Sequence, residues 1–389
     1  MPASTPLASA PSVPAVRVLR TLEELETLRP DWSALQWHPH SDLGFYRDVL
    51  ARRASFLRPH VLVLERDGRV EALIAAQLLA DSIPWRVGPL SLFRTRARVL
   101  RIGAGAILGS CDEAVARIAM QALRASLAAG EADALYLHQI AHDAPFSREA
   151  QRAPGLARDR FARTVPGWSL ALPGSFEEFL ASRSRAVRKN YRRYANRIEQ
   201  ELGEVRVACL RAPGDLERIL AESTAIARRT YHERLGVAFR DDADTRALVA
   251  HALQAGWFEC HVLYRGAQPI AFAHGLVYRG TLFARDTGFD PAYADYRPGI
   301  YLLGRMIAEH CAAGTRTLDY GVMDAEYKRQ FGSARAEYAS AFVFGATARG
   351  RVLALKRAVV GSADRLVRTT LGSERARRWS RRLRHPLRT

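Results

Sequence analysis

The chain has 389 residues, 48% hydrophobic and 25% charged, with a formal charge of +18. That length exceeds what one core usually organises and points to two or three folded domains, while the composition excludes a disordered or collagen-like chain. No stretch approaches the roughly 18 uninterrupted apolar residues of a spanning helix; Cys111, Cys209, Cys260 and Cys311 form no CxxC pair and no metal-ligand spacing, and read as buried thiols in a reducing compartment.

Residues 1–15 are rich in Ala, Ser and Pro and lack the charge and apolar run of a secretion signal. They read as a disordered lead to a cytoplasmic protein. A strand is expected at Val16–Leu19, helical pattern over Leu22–Leu35 with a break at Pro30, and a helix over Asp42–Arg53. A hairpin follows, His60–Leu64 and Val70–Leu78, with Asp67-Gly68 supplying the positive φ its turn requires. A helix over Asp112–Ala129 and a strand at Ala134–His138 close a mixed α/β unit.

The run Ser182–Glu199 segregates its residues at helical spacing. Val187, Tyr191, Tyr194 and Ile198 fall at i, i+4, i+7 and i+11, while Arg185, Arg188, Lys189 and Arg192 line another face. Only Glu199 offers a compensating charge, so the helix is expected to lie on a core and present cations to an anion. Beyond it come a strand at Val205–Leu210, helices at Pro213–Leu235 and Asp242–Ala255, and a meander of Trp257–Tyr264, Ile270–Tyr278 and Thr281–Gly288, turning at Arg265-Gly266 and Arg279-Gly280. His261–Tyr264 and its partner strand echo His60–Leu64, which suggests an internal duplication. Next, Tyr296-Arg297-Pro298-Gly299 opens a helix with Ile300, Leu303, Ile307 and Cys311 on one face. Proline costs nothing at a first helical position, and a bare glycine lets a ligand approach the exposed N–H groups, so Arg297, Pro298, Gly299 and Ile300 are a candidate pyrophosphate cradle.

The order of elements, this helix opening and the ending Leu318-Asp319-Tyr320-Gly321 to Tyr327-Lys328-Arg329-Gln330-Phe331-Gly332 resemble the GNAT acyltransferase superfamily. Within it the chain is most similar to the tandem-domain branch named for cellulose-biosynthesis acetyltransferases, related to the Fem-type peptidoglycan aminoacyltransferases. Ser184–Asn190 looks like the Ser-led, Arg-rich run of that branch. The resemblance implies an α/β (α+β) fold of two tandem GNAT-like domains, each a mixed, mostly antiparallel sheet flanked by helices. These would be an N-terminal, degenerate domain at 16–170 and a catalytic one at 171–350, followed by a basic tail at 351–389.

It also implies an acyltransferase using acetyl-CoA or another acyl-CoA, without a metal, acting on an amine or hydroxyl of a sugar or cell-envelope precursor. By resemblance, Arg297 and Gly299 keep part of the pyrophosphate loop, with Gly304 later in the helix; Tyr327 is the candidate general acid, and Lys328 matches a lysine that can polarise an acyl group. A thioester needs an acceptor, a base for its proton and an acid for the departing thiolate. Asp286 and His274, on adjacent strands, are candidate bases. Strict alternation puts Asp286 with Leu282 and Ala284, and His274 with Ile270, Phe272 and Leu276; such polar groups either make a structural bond or titrate for chemistry. Arg185, Arg188, Lys189 and Arg192 would hold an anionic part of the acceptor, with Tyr320 as wall and Asp319 as a loop or cap partner.

Two other readings compete. A Fem-type transferase would take aminoacyl-tRNA, which suits the charge. A binding module would use the basic helix and the tail, whose twelve Lys/Arg against Asp364 and Glu374 supply +10 of the +18, to touch nucleic acid or an anionic inner membrane surface.

Overall fold

A computed structural model of the protein describes residues 13–88, 90–230 and 239–383. Most of the expected disordered lead, residues 231–235 of one expected helix and the last six residues lie outside these. Contacts divide the chain into two units: the residues up to Gln36 with Ala54–Thr164 and those from Ala339 onward, and Trp37–Arg53 with Val165–Tyr338.

In the first unit, β1 (Ala15–Leu19), β2 (Phe56–Arg66), β3 (Arg69–Val87) and β4 (Leu90–Ile102) pair antiparallel in that order. The short β5 (Ile107–Gly109) pairs β3, the helix Glu113–Ala128 follows, and β6 (Ala134–Ala141) runs parallel to β4. Asp67 and Gly68 both take positive φ at the β2–β3 turn, as a two-residue hairpin loop demands. The hairpin outruns its sequence expectation, since β3 continues to Val87 and pairs with a β4 absent from that reading. Pro30 does not break its helix; the break is at Thr27 and Leu28, and proline sits in the first turn of Arg29–Leu35, where no N–H is missed.

The second unit repeats the pattern. It comprises β7 (Arg163–Ala171), β8 (Val205–Leu210), β9 (Phe258–Arg265), β10 (Gln268–Tyr278), β11 (Thr281–Phe289) and β12 (Thr317–Val322). Strands β8 to β11 are antiparallel neighbours, the helix Pro298–Ala312 follows β11, and β12 runs parallel to β11 and antiparallel to β7. The unit boundary falls within β13 (Ala334–Phe344), at Tyr338. Helices Leu216–Arg229 and Ala243–Gln254 flank this unit. The helix expected over Asp42–Arg53 stops at Asp48, and Asp42 caps it by accepting the Phe45 N–H.

The chain beyond Arg351 is not a loose tail. The helix Ala348–Leu383 belongs to the first unit, where Leu353, Ala354 and Val360 join a buried cluster with Ile83, Trp85, Ala97 and Val99. Buried Asp364 accepts the Gly88 N–H and pairs with Arg163 and Arg368.

Candidate functional site

The site is built where β11 and β12 part. They pair at only three positions, Thr281 with Thr317, Leu282 with Leu318 and Phe283 with Asp319, although β11 runs on to Phe289 and β12 to Val322. Gly321 and Met323 take positive φ just past the last pair, and the Asp319 carboxylate accepts the Gly321 N–H at 2.7 Å. Asp319 is thus a local turn partner. A parallel pair that stops early leaves the main chain of β11 beyond Phe283 without a β12 partner on this side.

On the β10 side, β11 carries a bulge. Ala273 pairs with Thr287 and Gly275 with Ala284, so His274 stands opposite two residues, Arg285 and Asp286. The extra residue breaks the alternation expected from sequence and brings Asp286 to His274, with Oδ2 at 3.9 Å from Nδ1. His274 is buried among Phe239, Phe258 and Phe272, and its Nε2 lies 2.9 Å from Ser223 Oγ. Burial holds its pKa below the usual value, against the pull of Asp286. Burial would push the half-exposed Asp286 upward, but the His274 contact and the Arg285 charge outweigh it and keep the carboxyl low. Asp286 therefore faces the solvent as an anion, while His274 sits behind it as a neutral positioning group. Ser223 is not among the site residues expected from sequence; its signal there is its place on the buried face of its helix with Ile219 and Ile226.

The bulged strand leads through the turn Pro291–Tyr296 to Arg297, which takes the left-handed conformation (φ 56°, ψ 48°), and then to Pro298–Ala312. A side chain on Gly299 would meet only Phe289, at an ordinary 3.7 Å, so the protein's own packing gives no reason for glycine there. The helix start has no side-chain cap; Pro298 carries no N–H and the Ile300 N–H, expected in the cradle, already donates to the Arg297 carbonyl at 3.0 Å, so exposed Arg297 and the Gly299 N–H are what this end offers a diphosphate. Gly304 has another purpose. A Cβ there would lie 2.1 Å from the ring of Tyr191, so it is the groove that lets the basic helix cross this one.

Across the cleft, Tyr327 packs on the cluster that holds Leu282, Leu303, Tyr320 and Phe331, as do Ala284 of β11 and Ile300 of the helix start. Its ring lies 6.2 Å from that of Tyr320, and burial pushes its hydroxyl up to about 12, which keeps it protonated. The buried Tyr320 hydroxyl and Trp168 indole N–H of this cluster have no partner among the described residues. Two such orphans in one wall favour a polar ligand there. Lys328, expected at an acyl group, is buried instead and donates to the Val322 carbonyl at 2.8 Å; burial lowers its pKa, and Asp319 and Asp324 oppose that. It fixes the end of β12.

The basic helix Arg185–Glu201 forms as read, with Ser184 capping Val187 N–H and Tyr191 and Ile198 buried. Arg185, Lys189 and Arg192 are exposed, but Arg188 turns back to donate to the Arg183 and Ala181 carbonyls at 2.6 and 3.2 Å. It closes the preceding turn and leaves the anion-binding set. Cys209, which sequence spacing placed with no ligands, lies with His261 and Glu309 such that one donor atom of each falls within 4.8 Å of the others. His261 Nε2 already meets Glu309 at 2.9 Å, and Arg211 meets the same carboxylate at 3.2 Å.

Residues 185–329, somewhat over a third of the chain, match the family model of the acetyltransferase (GNAT) domain. This match makes the protein an acyltransferase, and its span takes in the basic helix, the bulged strand, the helix start and Tyr327. Among solved structures, FemX is similar at 13% identity, covering 84% of this chain and 96% of its own, with a TM-score of 0.55. A conserved protein of unknown function from Bacteroides thetaiotaomicron is similar at 10% identity, covering 84% and 100%, with a TM-score of 0.51. At such identities the likeness is one of fold, and it extends over most of the chain. No curated protein matches at the sequence level.

Proposed function

We propose that the second unit transfers an acyl group from an acyl-CoA, acetyl-CoA being the simplest, to an amine or hydroxyl of an anionic sugar or envelope precursor. This is the activity expected of the tandem branch that the sequence resembles. The observation that carries the reading is the early parting of β11 and β12 between a bare helix start and a protonated tyrosine. The diphosphate of the donor lies at Arg297 and Gly299, and its thioester runs into the cleft toward Tyr327. The acceptor lone pair adds to the thioester carbonyl, the carbon–sulfur bond breaks, Tyr327 gives its proton to the leaving thiolate, and Asp286 takes the proton the acceptor loses. Arg185, Lys189 and Arg192 attract the acceptor's anionic part.

The test is thiol release from acetyl-CoA with a panel of amino sugars and nucleotide sugars, with products identified by mass spectrometry. Acetylated product formed by wild type and lost in Tyr327→Phe supports the assignment. Transfer from an aminoacyl-tRNA with acetyl-CoA inert would replace it by the Fem-type alternative. Peripheral attachment to the inner membrane surface is a separate matter; no helix among the described residues is long and apolar enough to cross a membrane.

A further inference from the structure

The helix that begins at Ala348 has two apolar faces, and only one is used. Leu353, Ala354 and Val360 are buried in the first unit, and Lys356, Arg357 and Asp364 fix the helix through Thr95, Asp159 and Gly88. On the roughly opposite side, by the 3.6-residue period, stand Val352, Leu355, Val359 and Leu366, exposed by 51, 58, 62 and 63%. Four large aliphatic side chains in one row on a surface helix are unusual, because single exposed hydrophobics are common and contiguous ones are not.

The row is rimmed by cations. Helical spacing puts Arg349 and Lys356 along one margin and Arg351 and Arg365 along the other. Between Arg349 and Thr370 the only acid is Asp364, buried and paired on the inner face. The β3–β4 ribbon of the same unit adds exposed Leu90, Leu92 and Phe93, and the Lys356 ammonium lies 5.5 Å from the Phe93 ring. A nucleic acid has no use for an aliphatic row. A second copy docked on this face would bring like-charged rims together. We propose that this face docks on an anionic lipid surface, the aliphatic row entering the acyl boundary while the arginines meet the headgroups.

The full chain should sediment with vesicles of equimolar phosphatidylglycerol and phosphatidylcholine and not with phosphatidylcholine alone. Arg351→Gln and Arg365→Gln should each weaken binding about fivefold. Leu355→Ser, Val359→Ser and Leu366→Ser combined should weaken it by about tenfold or more with little change in Tm, since more than half of each residue is exposed. Binding indifferent to phosphatidylglycerol overturns the proposal. So does full binding by the triple variant, which would assign the effect to the terminal arginines alone, or a solution dimer that the triple variant dissociates, which would make the row a protein interface.

Discussion

The two units share one plan and differ at one corner. In each, four antiparallel strands precede a helix and a strand parallel to the fourth: β1 to β4 and β6 in one, β8 to β11 and β12 in the other. His60 pairs with Ala76 and His261 with Ala273, so Gln77 takes the place of His274. There the units diverge. Gln77 pairs directly with Arg101 in a ladder that keeps its register from Gln77 to Trp85 and shifts only beyond it, whereas His274 stands against the bulge that presents Asp286. The helix of the first unit is closed by its own carboxylate, Asp112 accepting the Val115 N–H with Glu113 in the first turn, while that of the second opens on Arg297 with no cap. A helix start filled by protein carboxylates repels the anion that a bare one attracts. On the function proposed above, one added strand residue and one exchanged cap would separate a scaffold from a site.

The largest effect that sharpens this contrast is at the acid. Tyr327→Phe should lower kcat by about a hundredfold to a thousandfold, the range for loss of a positioned proton donor, with Tm unchanged. Asp286→Asn should cost about tenfold or more in turnover and remove the acid limb of the pH–rate profile, which lies below the ordinary carboxylate range because the folded carboxyl is held low. The paired change Arg185→Gln and Lys189→Gln should raise the acceptor KM by roughly fivefold with acyl-CoA affinity intact. Arg188→Ala should instead lower Tm, since its guanidinium holds two carbonyls.

Acid should act on both units and so leave the contrast untouched. Burial holds His60 and His138 of the first unit and His38 of the second down to about 4. The unfolded chain, with histidines near 6.5, then binds more protons than the folded one, so this stability is complete above about pH 6.5 and lost as pH falls toward 4. Melting followed by circular dichroism across that window should show a falling Tm, and His60→Gln should flatten it modestly. A Tm constant across the window would contradict the burial of these rings.

Much of this was legible in the sequence because it is local. Asp67-Gly68 and Arg279-Gly280 name their turns, and the apolar stripe of Arg185–Glu201 reads directly as a packed face. Strand β4 carries a period of two, with Arg94, Arg96 and Arg98 alternating against Thr95, Ala97 and Val99, but its apolar face is short and its first residues are exposed, so the pattern is weak. The bulge was not legible, because it is set by the contact of His274 with Ser223 some fifty residues away and by a cage of three phenylalanines. For the same reason Arg188 and Lys328 read as ligand-binding cations. Which carbonyl a long side chain turns back to is decided by the loop beside it.

On the proposed function, the open helix start of the second unit holds the donor, and the first unit has no counterpart. Titration calorimetry of acetyl-CoA into the full-length protein tests it most directly, with Gly299→Asp and Asp112→Gly as comparison variants. A single site per chain, abolished by a carboxylate at 299 and unchanged by removing the one at 112, is the predicted outcome; binding that survives Gly299→Asp, or a second equal site in the wild type, would contradict it.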